Sequence, residues 1–261
     1  MHPGAEVLGR SQNAMQKPHG TPRTKYTPPL HFESVGLWKL LGGVRRVPDS
    51  QYGRLVLPGL EQIVPVAEGP TLYCAGDLSL VQKKCVAIVG SRAVTTEGKA
   101  RARRLARELS EAGVVIASGL AEGVDREAHL AAIEASGKTV AVIGTPLDKA
   151  YPAVNAQLQE CIYREHLLVS PFRIGTVVFR SNFPQRNKFM AALTDATVIV
   201  EASDTSGSLH QAAECRPDRL DRWLFIARSV VDDPRLAWPK RFLGGPKVRV
   251  LEKAEDILGV L

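Results

Sequence analysis

From residue 86 onward, short runs of apolar, mostly β-branched residues alternate with longer stretches whose apolar residues recur at helical spacing. Each short run is apolar throughout, so both faces of the corresponding strand must be buried. The predicted strands are Val86–Val89, Val114–Ala117, Thr139–Ile143, Leu167–Val169, Thr197–Val200 and Trp223–Ala227. The predicted helices are Glu97–Ala112, Arg126–Ser136, Ala153–Arg164, Arg186–Leu193 and Ser208–Cys215. This alternation predicts an α/β fold with a Rossmann-like, doubly wound, mainly parallel sheet and helices on both faces.

The part of the chain before this α/β pattern has little apolar periodicity. Residues 1–30 are rich in proline, glycine and threonine, which predicts a disordered tail. Residues 31–66 contain short apolar pieces that are too small for an independent domain, and no function is assigned to them. The predicted division is therefore a tail over 1–30, a small N-terminal segment over 31–66 and a Rossmann-like domain over 67–261.

Composition narrows the class of protein. A formal net charge of +7 favours a polyanionic partner such as nucleic acid, although a basic surface alone is a common feature of solvated proteins. No apolar run approaches the about 18 residues of a membrane span, and no secretory signal is visible, so a cytoplasmic location is expected. The four cysteines form no CxxC pair, which predicts reduced thiols with neither a zinc site nor disulfides. No metal and no cofactor is predicted.

The loop after the first predicted strand has the composition of a phosphate site. In doubly wound sheets, ligands bind at the carboxyl ends of the strands. Gly90 lets an anion approach the backbone, Ser91 offers a hydroxyl donor and Arg92 offers a planar pair of donors. The alternative interpretation is a tight turn with an N-capping serine and a surface arginine.

Two further loops carry candidate ligands. After the second strand, Gly119 and Gly123 predict backbone that wraps around an anion, with Ser118 donating to it and Asp125 holding the loop or a sugar hydroxyl. Asp125 is also consistent with an ordinary helix N-cap. After the third strand, Asn155 is placed to bond either its own backbone or a ligand.

A later segment combines an aromatic residue with cations. Phe183 is predicted to be exposed and to stack on an unpaired base, while Arg186 and Lys188 hold neighbouring phosphates and Asn187 lies between them. The proline after Phe183 and the asparagine at 187 also suit simple helix initiation.

The loop after the fifth strand predicts a second anion site. Ser206, Gly207 and Ser208 open a helix with small hydroxyl residues and a glycine. Glu201, at the strand tip, is predicted to order a nearby arginine. Two such helix starts and a segment that is both aromatic and basic favour a ligand longer than one nucleotide.

In this order, the motifs resemble those of the DprA/Smf DNA-processing family. The matching residues are Pro70–Tyr73 with Gly76–Asp77, Val89–Arg92, Ser118–Ala121 with Gly123–Asp125 and Ala128–His129, Tyr151–Pro152 with Asn155, Phe183–Pro184 with Arg186–Asn187, and Val200–Ala202 with Ser206–Leu209. The resemblance implies a non-enzymatic Rossmann-like protein that binds single-stranded DNA, commonly as a homodimer. It also implies loading of a RecA-type recombinase in natural transformation or recombination.

The chain departs from the family pattern at several points. Pro171 follows Ser170 where the family commonly has glutamate, Lys188 replaces an arginine and Gln211 replaces a threonine. The usual Val-Pro-Gly end of the sixth strand is absent, and the C-terminal winged-helix domain that many members carry is not expected in this sequence. The tail after Ala227 diverges from the family pattern, so the expected recombinase contact rests on the resemblance alone.

Two other classes of function stay open at this point. One is a nucleotide sensor of a defence system that kept the pocket and lost the DNA role. The other is a nucleotide phosphoribohydrolase, although Asp204–Ser208 stands where those enzymes carry a Pro-Gly-Gly-x-Gly-Thr loop. A dehydrogenase fits less well because the first turn lacks GxGxxG.

Overall fold

A computed structural model describes residues 26–42 and 69–261 of the chain. Residues 1–25 of the predicted tail (1–30) lie outside the described residues. Residues 43–66 of the predicted N-terminal segment (31–66) also lie outside them. The predicted domain boundaries therefore stay predictions.

The described residues form one sheet in which seven neighbouring strands are parallel. The strands are β1 Glu33–Gly36, β2 Thr71–Gly76, β3 Cys85–Gly90, β4 Val115–Ser118, β5 Thr139–Val142, β6 Leu167–Ser170, β7 Ala196–Glu201, β8 Trp223–Ala227 and β9 Val248–Leu251. Their order across the sheet is β1-β2-β6-β5-β4-β3-β7-β8-β9. Strands β1 and β2 are antiparallel additions at one edge. After β6 the chain returns to the far side of β3, which is the strand order of a doubly wound sheet.

Helices cover both faces of this sheet. They are α1 Leu37–Leu41, α2 Thr96–Glu111, α3 Val124–Glu134, α4 Ala156–Glu165, α5 Asn182–Leu193, α6 Ser208–Glu214, α7 Arg228–Val231 and α8 Glu255–Leu258. Short 3-10 turns occupy Leu78–Gln82, Ala153–Asn155 and Trp238–Arg241. The predicted fold class is confirmed.

The alternation of side chains along β3 explains why both faces need helices. Val86 and Ile88 point to the face covered by α2 and α3, and they join the core cluster of that side. Ala87 and Val89 point to the opposite face, where they pack in the core cluster that includes α5. All four residues are buried, as expected for a central parallel strand.

Three strands, β1, β2 and β9, are absent from the sequence-based prediction. The first of these is a four-residue edge strand, and β9 lies in the tail that the sequence marks only as divergent. The described residues before β1 also contact the sheet domain, since Tyr26 donates a hydrogen bond to the carbonyl of Leu147 at 2.7 Å. No helix among the described residues is both long enough and apolar enough to cross a bilayer.

The tail after β8 is part of the core. Trp238 is completely buried, and its indole N–H donates to the carbonyl oxygen of Ala202 at 3.0 Å. Asp204 accepts a hydrogen bond from the Trp238 backbone N–H at 2.7 Å. The tail therefore fixes the loop that follows β7.

We expect Trp238→Ala to lower the free energy of unfolding by about 3–5 kcal/mol, because it leaves a large cavity and an unpaired carbonyl. Urea denaturation followed by circular dichroism measures this change. The nearby exposed variant Lys240→Ala is the control and should stay within about 0.5 kcal/mol of wild type. Equal effects of the two variants would show that the tail is not part of the core.

Candidate functional site

A cleft lies at the carboxyl ends of β3, β4 and β5, where the loops after these strands meet the first turns of α5. Its volume is about 300 Å³, including space that is open to solvent. The residues that line it are Arg92, Gly119, Ala121, Glu122, Tyr151, Pro152, Phe183 and Arg186. Four of the sequence-predicted site residues, Arg92, Gly119, Phe183 and Arg186, are thus brought together.

Arg186 provides the charged floor of this cleft. Its side chain is only 5% exposed and donates a hydrogen bond to the carbonyl oxygen of Val142 at the end of β5. Burial, together with the positive charge of Arg92, lowers the pKa of Arg186 to about 10, and Asp125 opposes the shift. The guanidinium is therefore still protonated at neutral pH and gives the floor a positive charge.

Glycine at position 119 is required by this arrangement. A Cβ added to Gly119 would lie 1.8 Å from a guanidinium nitrogen of Arg186. The backbone after β4 can therefore approach the buried cation only because it carries no side chain.

Asp125 and Asn155 hold the loop after β4 from inside. The Asp125 carboxylate accepts hydrogen bonds from the backbone N–H groups of Gly119 and Ala121, at 3.1 and 3.4 Å. Asn155 donates from Nδ2 to the carbonyl of Leu120 at 2.9 Å and accepts from Arg126 at 2.7 Å. Burial raises the pKa of Asp125, against the opposing effect of Arg186. The sequence left open whether Asp125 and Asn155 hold the loop or contact a ligand. Their hydrogen bonds favour the first role, in which they position the loop.

Three other predicted site residues have structural roles in the loops: Ser118, Gly90 and Gly123. The Ser118 hydroxyl is completely buried and donates to the carbonyl of Ile88 at 2.7 Å, so it does not face the cleft as predicted. Gly123 has a φ of 77° and a Cβ there would lie 2.2 Å from the carbonyl oxygen of Ser91. A Cβ at Gly90 would meet the Glu201 carbonyl oxygen at 2.7 Å. These residues shape the loops that carry Arg92.

Aromatic rings and a second arginine form the rim of the cleft. The Arg92 guanidinium lies 5.5 Å from the centre of the Phe183 ring, and the Tyr151 ring centre lies 5.4 Å from that of Phe183. Phe183 is half-buried, because its ring packs against Gly144. The sequence analysis predicted Phe183 as the exposed ring and named Tyr151 only as part of a family motif. In the structure Tyr151, at 49% exposure, is the more accessible ring.

The N-terminus of α2 is occupied by a carboxylate of the chain itself. Glu201 accepts hydrogen bonds from the backbone N–H and the hydroxyl of Thr95, at 3.0 and 2.6 Å. Arg101 lies 3.5 Å from the same carboxylate. Ser91 donates its backbone N–H to the Glu201 carbonyl at 2.7 Å. The positive end of the α2 dipole is thus already paired with a negative group, which disfavours a phosphate there.

The second predicted anion site lies apart from the cleft. Ser206 and Ser208 share a hydrogen bond between their hydroxyl groups at 2.7 Å, and Asn187 donates to the carbonyl of Gly207 at 3.0 Å. None of these residues lines the cleft, and the half-buried Lys188 does not line it either. Sequence reasoning placed them by their position after β7 and in α5, but it has no information on the direction of each side chain.

His129 lies in the core behind the loop after β4. The Thr139 hydroxyl donates to the carbonyl of Ile116 at 2.6 Å, so it accepts a hydrogen bond from Nδ1 of His129 at 2.7 Å. Burial, aided by His166 and Arg186, lowers the pKa of His129 to about 3. This imidazole is therefore neutral over the physiological range and has a packing role.

The doubly wound sheet and its cationic, aromatic cleft define a Rossmann-like protein suited to an anionic ligand. The family model described as DNA recombination-mediator protein A matches residues 48–258. The chain belongs to this family, the DprA/Smf family, which confirms the resemblance that the sequence motifs carry.

Two curated relatives illustrate the extent of the similarity. The DNA processing protein DprA of Streptococcus pneumoniae is 42% identical over 138 residues, which cover 53% of this chain and 49% of the relative. The DprA of Bacillus subtilis is 32% identical over 187 residues, which cover 71% of this chain and 62% of the relative. The chain thus spans only about half to three fifths of these relatives.

Solved structures support the same fold. The structure of DprA from Streptococcus pneumoniae aligns with a TM-score of 0.67 and 34% identity, covering 74% of this chain and 68% of the other. The structure of DprA from Helicobacter pylori, described by its single-stranded DNA binding mode, aligns with a TM-score of 0.64 and 28% identity. That alignment covers 77% of this chain and 93% of the other.

We expect Gly119→Ala to lower the free energy of unfolding by about 1–3 kcal/mol, because the new methyl group must displace the buried Arg186 guanidinium. Gly207→Ala is the matched control, since a Cβ at Gly207 meets nothing within 4 Å. Urea denaturation compares the two variants. A Gly119→Ala protein as stable as the control would contradict the close packing of loop and arginine.

We expect the protein to lose stability in acid partly through His129. The folded pKa of about 3 lies below the ordinary 6.5, so this contribution is present above pH 6.5 and is lost as the pH falls toward 3. His129→Asn should reduce the dependence of unfolding free energy on pH, between about pH 6 and 4, by about 1.4 kcal/mol per pH unit. Urea denaturation across that range measures the slope. An unchanged slope would contradict the conclusion that His129 is a buried, neutral imidazole.

Proposed function

We propose that the chain binds single-stranded DNA in the cleft at the tips of β3, β4 and β5 and acts as a DNA-processing protein in DNA uptake, natural transformation or recombination. The observation that carries this proposal is the combination of Arg92, Phe183 and Tyr151 above the buried Arg186. Cations beside aromatic rings are what a strand of unpaired nucleotides needs, because the cations hold phosphates and the rings stack on bases.

The proposal gives different tasks to the residues of the cleft. Arg92 is exposed and reaches the rim, so it is placed to bond a phosphate directly. Arg186 is almost fully buried and supplies positive charge from below. Tyr151 offers an accessible ring face to a base, and base stacking is tolerant of sequence. The proposal therefore predicts binding that depends on salt but little on base sequence.

The single-stranded DNA binding mode described for the Helicobacter pylori DprA structure supports a DNA ligand for this chain. Family membership does not favour the nucleotide sensor or the phosphoribohydrolase. We also propose, from the resemblance, that the chain forms a homodimer and assists a RecA-type recombinase without catalysing a reaction itself. A cytoplasmic location is consistent with this role.

We expect Arg92→Ala and Tyr151→Ala to weaken binding of a fluorescein-labelled oligothymidylate, measured by fluorescence anisotropy, each by about tenfold. The two variants should differ in their response to salt. Arg92→Ala should reduce the slope of log K against log salt by about 0.7, because one phosphate contact is lost. Tyr151→Ala should keep the wild-type slope, because it removes stacking and no charge.

Arg107→Ala is the matched control, because it removes the same charge from the exposed surface of α2, away from the strand tips. Its affinity should stay within about twofold of wild type. Equal binding by all three variants would place the DNA outside the cleft. If a mononucleotide displaced the probe as well as an unlabelled oligonucleotide does, the sensor function would be favoured instead.

A further inference from the structure

Three potential metal ligands converge at the junction of α4 and β6. Cys161 and Glu165 lie one helical turn apart near the end of α4, and His166 is the residue between this helix and the first residue of β6. One ligand atom from each side chain lies within 4.8 Å of the others. The cluster lies just before β6, which runs from Leu167 to Ser170. It is therefore at the amino ends of the parallel strands, whereas the proposed DNA cleft is at their carboxyl ends.

The imidazole of His166 is the unusual member of this cluster. The residue is only 4% exposed, and neither ring nitrogen has a hydrogen-bond partner. Buried polar side chains almost always have a partner in the protein, an ordered water or an ion. An unpaired imidazole that faces a thiol and a carboxylate therefore points to a ligand bound among the three groups.

The donor set selects the chemistry of that ligand. A thiolate sulfur, an imidazole nitrogen and a carboxylate oxygen together suit a divalent ion of borderline softness, above all Zn²⁺. The negative end of the α4 dipole also favours a cation at this position. Lys138 is the neighbouring positive group, and its ammonium group donates to the Glu165 carbonyl at 3.1 Å.

We propose that Cys161, Glu165 and His166 bind one Zn²⁺ ion, with a water molecule as the fourth ligand. Binding requires the Cys161 thiol to lose its proton to solvent, so that two anionic ligands balance the two charges of the metal. The ion ties the end of α4 to the start of β6 and so stabilises the fold. Cys161 has no neighbouring cysteine in the sequence, and only the helical turn brings the other two donors to it.

The test is titration of the tag-free, metal-depleted full chain with Zn²⁺ by calorimetry and with Co²⁺ by absorbance. Wild type should bind one Zn²⁺ with micromolar or tighter affinity and show the charge-transfer absorption of a cobalt thiolate. Cys161→Ser should abolish that absorption, and Glu165→Gln should weaken Zn²⁺ binding at least about tenfold. Saturating Zn²⁺ should raise the thermal midpoint of wild type and not that of Cys161→Ser.

Control variants make the result specific to this cluster. Glu111→Gln and His210→Gln change exposed residues elsewhere in the described chain and should bind Zn²⁺ like wild type. Cys161→Ser keeps the buried Cys74, Cys85 and Cys215, so a cobalt thiolate absorption that persists in it would place the metal elsewhere and overturn the proposal. Failure of wild type to bind Zn²⁺ at micromolar concentrations would overturn it equally. Neither result would affect the proposal for DNA binding, because the cluster and the cleft lie at opposite ends of the parallel strands.

Discussion

The site depends on one buried cation. Arg186 bonds the carbonyl at the end of β5, lies against the backbone of Gly119 after β4 and belongs to the first turns of α5. A buried charge is costly unless the protein offers it hydrogen bonds and opposite charge, and here Val142 and Asp125 provide them. Three elements are thereby fixed relative to each other, and the cleft is the space that they leave at the surface.

The position of the carboxylates around the strand tips also determines which groups of the cleft are available to a ligand. Glu201 accepts hydrogen bonds from Thr95, the N-capping residue of α2, and Asp125 accepts hydrogen bonds from the backbone of the loop after β4. Both carboxylates are engaged with the backbone of the chain itself. The cationic and aromatic side chains at the rim are therefore available to the proposed DNA strand, and the exposed Glu122 lines the cleft beside them.

The fold was predictable because β3 to β8 are apolar on both faces and lie between helices of clear periodicity. The loops after β3 and β4, which carry Arg92 and Gly119, were predictable for the same reason. Phe183 and Arg186 lie in the first turns of α5 and were identified from the mixture of aromatic and basic residues there. The directions of the side chains were not predictable. The Ser118 hydroxyl turns inward to a neighbouring strand, and Tyr151 is more accessible than Phe183, because tertiary packing sets both. The strands β1 and β9 were missed because they are short and depend on pairing with distant residues.

The most direct test of the central claim is to map where a single strand lies on the protein. An oligonucleotide with a photoreactive thymine analogue would be cross-linked to the full chain, and the attached peptides identified by mass spectrometry. The cleft predicts cross-links at Tyr151 and Phe183, at the carboxyl ends of the strands. Cross-links confined to the amino ends of the strands, around the exposed Lys84 and Lys138, would contradict binding in the cleft.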